Sequence, residues 1–164
     1  MISTKKAIQY FKIAEFQANT LSKDPSSKVG CIFLKPKTYE QLTMGYNGMP
    51  RKINESLDTG RWNRPQKYMW VEHAERNAIY NACRNGIPLE NSIVITTKFP
   101  CCDCTRGIIQ SGAIMIITSK PNMNDKNWKE SSEVALEMIK EYGISLHYIE
   151  DLIKHDDNSN WMIF

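Results

Sequence analysis

The chain has 164 residues, a formal charge of +3, and 41% hydrophobic against 24% charged residues. So much apolar content at so low a charge excludes a disordered chain and suffices for one domain with a buried core. No apolar run nears the ~18 residues of a membrane span, the first ten residues lack the apolar centre of a signal peptide, and the mild charge announces no broad nucleic-acid footprint. Five cysteines are an odd number, and three crowd into Cys101-Cys102-Asp103-Cys104. That pattern suits metal binding in a reducing compartment better than disulfides. A soluble cytoplasmic protein is expected.

Taken in order, Ser3 caps a helix to about Leu21, with Ala7, Ile8, Phe11, Ala14, Ala18 and Leu21 on one face. Asp24-Pro25 breaks it. Val29 to Leu34 reads as a buried strand, Lys35 to Thr38 as a turn, and Gln41 to Gly45 as the hairpin partner. An irregular stretch, Tyr46 to Val71, carries Gly48, Pro50, Gly60 and Pro65. A helix from about Glu72 to Asn85 ends at Gly86. Ser92 to Thr97 is a strand, Cys101 to Ser111 a short helix stopped by Gly112, and Ala113 to Thr118 another strand. Lys129 to Tyr142 is a helix with Val134, Met138 and Tyr142 on one face, and Ile144 to Ile149 a last strand. The order αββαβαβαβ, a hairpin followed by crossovers, means a mixed sheet with helices on its faces. From Glu150 the chain reads as a polar tail ending Trp161-Met162-Ile163-Phe164, which either docks on a partner subunit or frays.

Two short segments carry the chemistry, each opening a helix after extended chain: His73-Ala74-Glu75 and Pro100-Cys101-Cys102-Asp103-Cys104. Cys101 and Cys104, three apart, project from one face of a helix's first turn, where the thiolate form is favoured. His73 would complete a set of three ligands, which leaves zinc's fourth tetrahedral position open for water, the catalytic pattern. Glu75, two residues from His73, points away from the metal but within reach of a water there, whose pKa zinc lowers to about 7. Alone, Cys-x-x-Cys fits a zinc knuckle or a redox pair. Together with His-x-Glu and the proline, the pattern is that of zinc-dependent nucleobase deaminases, with the glutamate as general acid and base. Cys31 and Cys83 read as small buried residues.

His73-Ala74-Glu75-Arg76-Asn77-Ala78-Ile79 and Pro100 to Cys104 resemble the cytidine and deoxycytidylate deaminase superfamily. Ser22-Lys23-Asp24-Pro25-Ser26-Ser27-Lys28-Val29-Gly30, Gly45-Tyr46-Asn47-Gly48-Met49-Pro50 and Ile108-Ile109-Gln110-Ser111-Gly112 are similar to its deoxycytidylate branch, over about residues 5 to 150. The resemblance implies a three-layer αβα fold with a five-stranded mixed sheet. It implies one deaminase domain over 1–150 with an insertion at 50–72, and a tail over 151–164. It further implies hydrolysis of dCMP to dUMP and ammonia, on the route to thymidylate.

By the same resemblance His73, Cys101 and Cys104 hold Zn2+, and Glu75 moves the proton to N3 and then helps ammonia leave. The Ala74 N–H binds the pyrimidine O2, the Phe99 carbonyl accepts from the exocyclic amine, and Asn47 bonds the deoxyribose, unless it is only a turn residue. Ser26, Ser27 and Lys28 are candidates for the phosphate. Residues 50 to 72 mix arginines and lysines with Trp62, Tyr68 and Trp70. Around Tyr46, Gly48 and Arg51 they suit either an effector site for dCTP as activator and dTTP as inhibitor, or a packed surface insertion. Lys52 departs from allosteric members, which carry glycine there. Arg84 would face a nucleotide or a subunit interface, and a homo-oligomer, dimer to hexamer, is expected. The rivals are a dCMP/dCTP deaminase, a deaminase of bases in nucleic acid or tRNA, and a zinc-stabilised binding module.

Overall fold

The computed structural model describes residues 2–155. Helix α1, Thr4–Leu21, starts where the Ser3 hydroxyl accepts the Lys6 N–H at 3.3 Å. It is followed by strands β1, Gly30–Leu34, and β2, Gln41–Tyr46, joined as an antiparallel hairpin with a register shift between Phe33 and Leu34. Short helix α2, Lys67–Trp70, precedes α3, Ala74–Arg84. Then β3, Ile93–Thr96, α4, Cys102–Gln110, β4, Met115–Thr118, α5, Lys129–Tyr142, and β5, Ser145–Tyr148, alternate, and α6, Ile149–Lys154, closes the described chain. The sheet order is β2-β1-β3-β4-β5, antiparallel from β2 to β3 and parallel from β3 to β5. This is the five-stranded mixed sheet and three-layer αβα arrangement that the sequence implies.

The central strands are buried on both faces, which is why they read as continuous apolar runs. Cys31, Phe33, Val94 and Ile116 face α3, α4 and α5, packing on Ala74, Ala78, Ala82, Ile108 and Ile139. The alternate residues Ile32, Leu34, Ile95 and Ile117 face α1 and meet Ala7, Ile8, Phe11 and Ala14. Gly45 allows α3 to lie close on β2: a Cβ there would sit 2.2 Å from the Ala74 carbonyl oxygen. No helix among the described residues is long and apolar enough to cross a membrane.

Three features differ from the sequence reading. The buried face of α5 is Ser132, Ala135 and Ile139, while Val134 and Tyr142 are exposed. The small Ser132 and Ala135 let α5 lie close against α4, and Ile139 reaches from the same face into the core. Leu21, at the last position of α1, is likewise exposed, and so is Cys83, read as buried, which lies on the outer side of α3. Ile149, read as the end of the last strand, and residues 150–154, read as the start of a polar tail, form α6 against α1, with Ile149 buried and Leu152 packed beside it. One helical turn leaving a strand directly is too short for periodicity to reveal. Trp161 to Phe164 lie outside the described residues.

The 50–72 segment is an ordered excursion. Its ends are clipped by Gly48 and Glu72, whose N–H groups donate to each other's carbonyls at 3.1 and 2.9 Å. Trp62 is buried with Met49 and Val71, its indole N–H donating to the Glu55 carbonyl at 2.9 Å. Arg61 lies 4.0 Å over the Trp70 ring. The packed-insertion reading therefore describes most of it, but α2 turns Lys67 and Tyr68 inward.

Candidate active site

The loops leaving the carboxyl ends of β3 and β4, the starts of α3 and α4, and α2 surround a cavity of about 540 Å³. Crevices beyond the carboxyl ends of parallel strands are where such sheets take ligands, and this volume is that of a small-molecule site. His73 is the N-cap of α3 and Cys101 the N-cap of α4, so both helix starts point into it.

His73 Nδ1 lies 3.4 Å from Cys101 Sγ and 3.5 Å from Cys104 Sγ, and the three ligand atoms all lie within 4.8 Å of one another. Nitrogen and sulfur ligands on a zinc tetrahedron stand roughly 3.5 Å apart, from bonds of about 2.0–2.1 and 2.3 Å. The residues therefore fit the metal in kind and spacing. Their protons tell the same story. The hydrogen bond from Cys104, with that from His73, brings the Cys101 thiol down to about 4, against the upward pull of burial. Cys104 goes up, because it donates to Cys101 and is buried. The hydrogen bond to Cys101 raises His73. Cys102 is outside this set; its N–H donates to the Ser131 hydroxyl at 2.9 Å.

Glu75, in the first turn of α3, is buried at the cavity floor. Burial raises its pKa, and the neighbouring His73 pulls the other way. A carboxylate tuned upward beside a metal-type cluster suits a group that must both take and give a proton. The Thr96 hydroxyl donates to its Oε1 at 3.0 Å. Ala74 and Phe99 also line the cavity. The Ala74 N–H belongs to the first turn of α3, where backbone donors have no helical acceptor.

The remaining candidates separate. Asn47 is buried, and its side-chain amide is spent on protein. Nδ2 donates to Asp24 Oδ2 at 2.8 Å and the Ser27 carbonyl at 2.7 Å. Oδ1 accepts the Val29 N–H at 2.8 Å and faces the Ser22 hydroxyl at 3.0 Å. Asn47 also lines the cavity, where these bonds make it a brace of the wall. Ser26 and Ser27 line the cavity. Lys28 does not: it is exposed and donates to the Asn19 carbonyl at 2.9 Å, at the end of α1. Tyr46, Gly48, Arg51 and Arg84 are not among the lining residues. Arg51 bonds Asn81 on the outer side of α3, the Tyr46 carbonyl accepts from Asn77 at 2.8 Å, and Arg84 sits exposed in the last turn of α3.

Behind the serines lies a buried ion pair the sequence did not disclose. Asp24 is fully buried and meets the Lys67 ammonium at 2.6 and 2.8 Å. Its Oδ1 also accepts the Ser26 and Ser27 N–H groups at 2.9 and 3.0 Å. Burial pushes the carboxyl up, but the bonds from Lys67 and the two serines outweigh it and hold it below the ordinary carboxylate value. At the mouth, Lys98 reaches the Ser27 hydroxyl at 2.8 Å, and Arg64 lies 5.8 Å from the Tyr68 ring. Neither has a carboxylate partner among the described residues, whereas Lys120 is held by Asp151 at 2.6 Å. Trp128 stands 6.1 Å from both the His73 and the Tyr68 rings. The signal for Lys98 in the sequence is its place two residues before Pro100. Arg64 and Trp128 had none beyond the rule that loops at carboxyl strand ends carry function.

A family model described as the cytidine and deoxycytidylate deaminase zinc-binding region matches residues 4–120. An uncharacterized deaminase from the luxG 3' region of Aliivibrio fischeri is 33% identical over 156 residues, covering 94% of this chain and all of the relative. Human deoxycytidylate deaminase is 30% identical over 136 residues, covering 79% of this chain and 74% of that protein. The dCMP deaminase of cyanophage S-TIM5, solved with dCMP and dUMP, superposes with a TM-score of 0.70 at 22% identity, over 90% and 99% of the two chains. Matched by that family model over most of its length, and carrying His73, Cys101 and Cys104 together at the cavity floor, the chain belongs to the cytidine and deoxycytidylate deaminase family.

Proposed function

We propose that the protein hydrolyses dCMP to dUMP and ammonia in the cytoplasm, supplying dUMP for thymidylate synthesis, through one domain over residues 1–150 with the 50–72 insertion as a cavity wall. The observation that carries the reading is the pairing of a deaminase floor with two cations at the mouth, Lys98 and Arg64, that lack carboxylate partners among the described residues. A phosphate monoester is the ligand such cations suit. Ser27, whose hydroxyl oxygen accepts from Lys98 at 2.8 Å, adds a donor through its own hydroxyl proton.

His73, Cys101 and Cys104 would hold Zn2+, which supplies a water acidified to a pKa of about 7. Glu75 accepts a proton at its carboxylate and delivers it to N3 of the base. It then carries a second to the departing amino group, so that a C4–O bond replaces the C4–N bond and ammonia leaves. The Ala74 N–H holds O2 and the Phe99 carbonyl accepts from the exocyclic amine, which orients C4. Trp128 and Tyr68 narrow the cavity and exclude bulk water from the proton transfer.

The test is ammonia release by zinc-loaded protein from dCMP, dCTP, deoxycytidine and a cytosine-containing oligonucleotide. Preferred turnover of dCMP supports the reading, and equal turnover of dCMP and dCTP would make the enzyme bifunctional. Deamination of the oligonucleotide alone would overturn it in favour of a nucleic-acid enzyme. Adding dCTP and dTTP to the dCMP assay reads effector control at the outer Tyr46–Arg51 segment, and light scattering reads a dimer-to-hexamer assembly.

A further inference from the structure

We propose that Thr96 is a positioning residue for Glu75, fixing one carboxylate oxygen so that the other is presented to the reacting base. The inference rests on the reading of Glu75 as the proton carrier, and it goes beyond that reading by assigning a second residue to the same step.

Strand β3 is buried along its whole length, and its first three residues are Ile93, Val94 and Ile95. Thr96 is the polar exception, at the end where the strand reaches the cavity floor. Side chains alternate along a strand, so Thr96 faces the same side as Val94, toward α3. Valine has the same shape and β-branching and would pack there without a polar atom. A hydroxyl buried in such a strand is unfavourable unless it is bonded. That of Thr96 donates to Glu75 Oε1 at 3.0 Å, with both side chains buried. Burial in this row does not by itself supply a partner: Thr118, which pairs with Thr96 across the parallel ladder, is equally buried and its hydroxyl has none.

A carboxylate that takes a proton from one side and returns it on another must not rotate freely between rotamers. Thr96 comes from a rigid central strand and Glu75 from the first turn of α3. The bond ties the carboxylate to the sheet as well as to the helix that carries it. Oε1 is engaged, and the proton is handled at Oε2.

Two measurements on the zinc-loaded protein test this. In the first, Thr96→Val lowers kcat by roughly 10- to 100-fold, as loss of a partner that orients a reacting group does. KM moves by less than about twofold and zinc content is unchanged, because substrate binding and the ligand set are left alone. Thr96→Ser, which keeps the hydroxyl, restores most of kcat. A Thr96→Val enzyme with wild-type kcat, or a loss that follows zinc content, overturns the proposal. In the second, melting temperatures are compared for Thr96→Val in the wild-type and Glu75→Ala backgrounds. The shift should be non-additive: Thr96→Val lowers the melting temperature when Glu75 is present and raises or leaves it when the carboxylate is gone. Equal shifts in both backgrounds contradict the bond. If wild-type protein leaves dCMP untouched, the proposed reaction fails, and the melting cycle still decides whether Thr96 holds Glu75.

Discussion

At the cavity floor, His73 and Glu75 lie two residues apart in one helix start, and Cys101 and Cys104 three apart in another. In the wall, Asp24, Asn47 and Lys67 come from three separate segments and meet in a buried ion pair braced by an amide. The floor is organised locally: once α3 and α4 form, their first turns deliver the reactive groups, and only the packing of two helices on one sheet remains to be met. The wall is organised by tertiary contact, so its precision depends on the whole fold. Chemistry should therefore fail when the floor is altered, and stability when the wall is.

The largest effect is expected at the floor. Glu75→Ala should lower kcat on the order of 10²- to 10⁴-fold, the range lost with a general acid and base, while the protein still binds zinc and melts as a folded domain. Cys104→Ala should instead lose the metal, measured by atomic absorption after dialysis. Equal metal loss in both variants would erase the division of roles.

Next comes the wall. Asp24→Ala leaves the Lys67 ammonium buried without a counter-charge and should destabilise by about 3–5 kcal/mol in denaturant unfolding. Replacing both partners, Asp24→Asn with Lys67→Met, should recover much of that loss. A single variant as stable as wild type would show the pair to be slack.

A smaller effect follows from pH. Asp24 titrates below its ordinary value of 3.8 when folded. As pH falls, the unfolded chain takes the proton first, so the stability contributed by the charged carboxylate is whole above about pH 4. It is lost as pH drops through the lower folded value. Unfolding free energy should decline more steeply below pH 4 in wild type than in Asp24→Asn, and parallel profiles would contradict the shift. The smallest effect is at Lys28, which donates to the end of α1 outside the cavity. Lys28→Ala should change stability by no more than about 0.5 kcal/mol and leave KM for dCMP unaltered.

Legibility in the sequence follows the same division. The order of strands and helices was readable because each has its own period and stop, such as Gly86, Gly112 and Gly143, all at positive φ. His73, Glu75, Cys101 and Cys104 were readable because short spacing within a helix start is a geometric statement. The sequence offers Lys28 for the phosphate because it precedes the first strand, whereas Lys98 is brought to the cavity mouth by the folded sheet, which local sequence does not show. Asn47 stands in a motif that fits a sugar contact, yet four protein partners consume its amide. Nothing near Asp24 or Lys67 announces the other, 43 residues away. The Thr96 bond was hidden in the same way, since a threonine in a β-branched strand looks like any strand residue.

The most direct test is the ratio of kcat/KM for dCMP to that for deoxycytidine, in wild type and in Lys98→Met. The account predicts a ratio well above one in wild type, falling at least about tenfold in the variant as one charge-assisted contact to the phosphate is lost, with the deoxycytidine rate unchanged. A ratio near one in wild type, or one that Lys98→Met leaves in place, would contradict the claim that a floor built for deamination is served by a mouth built for a phosphate.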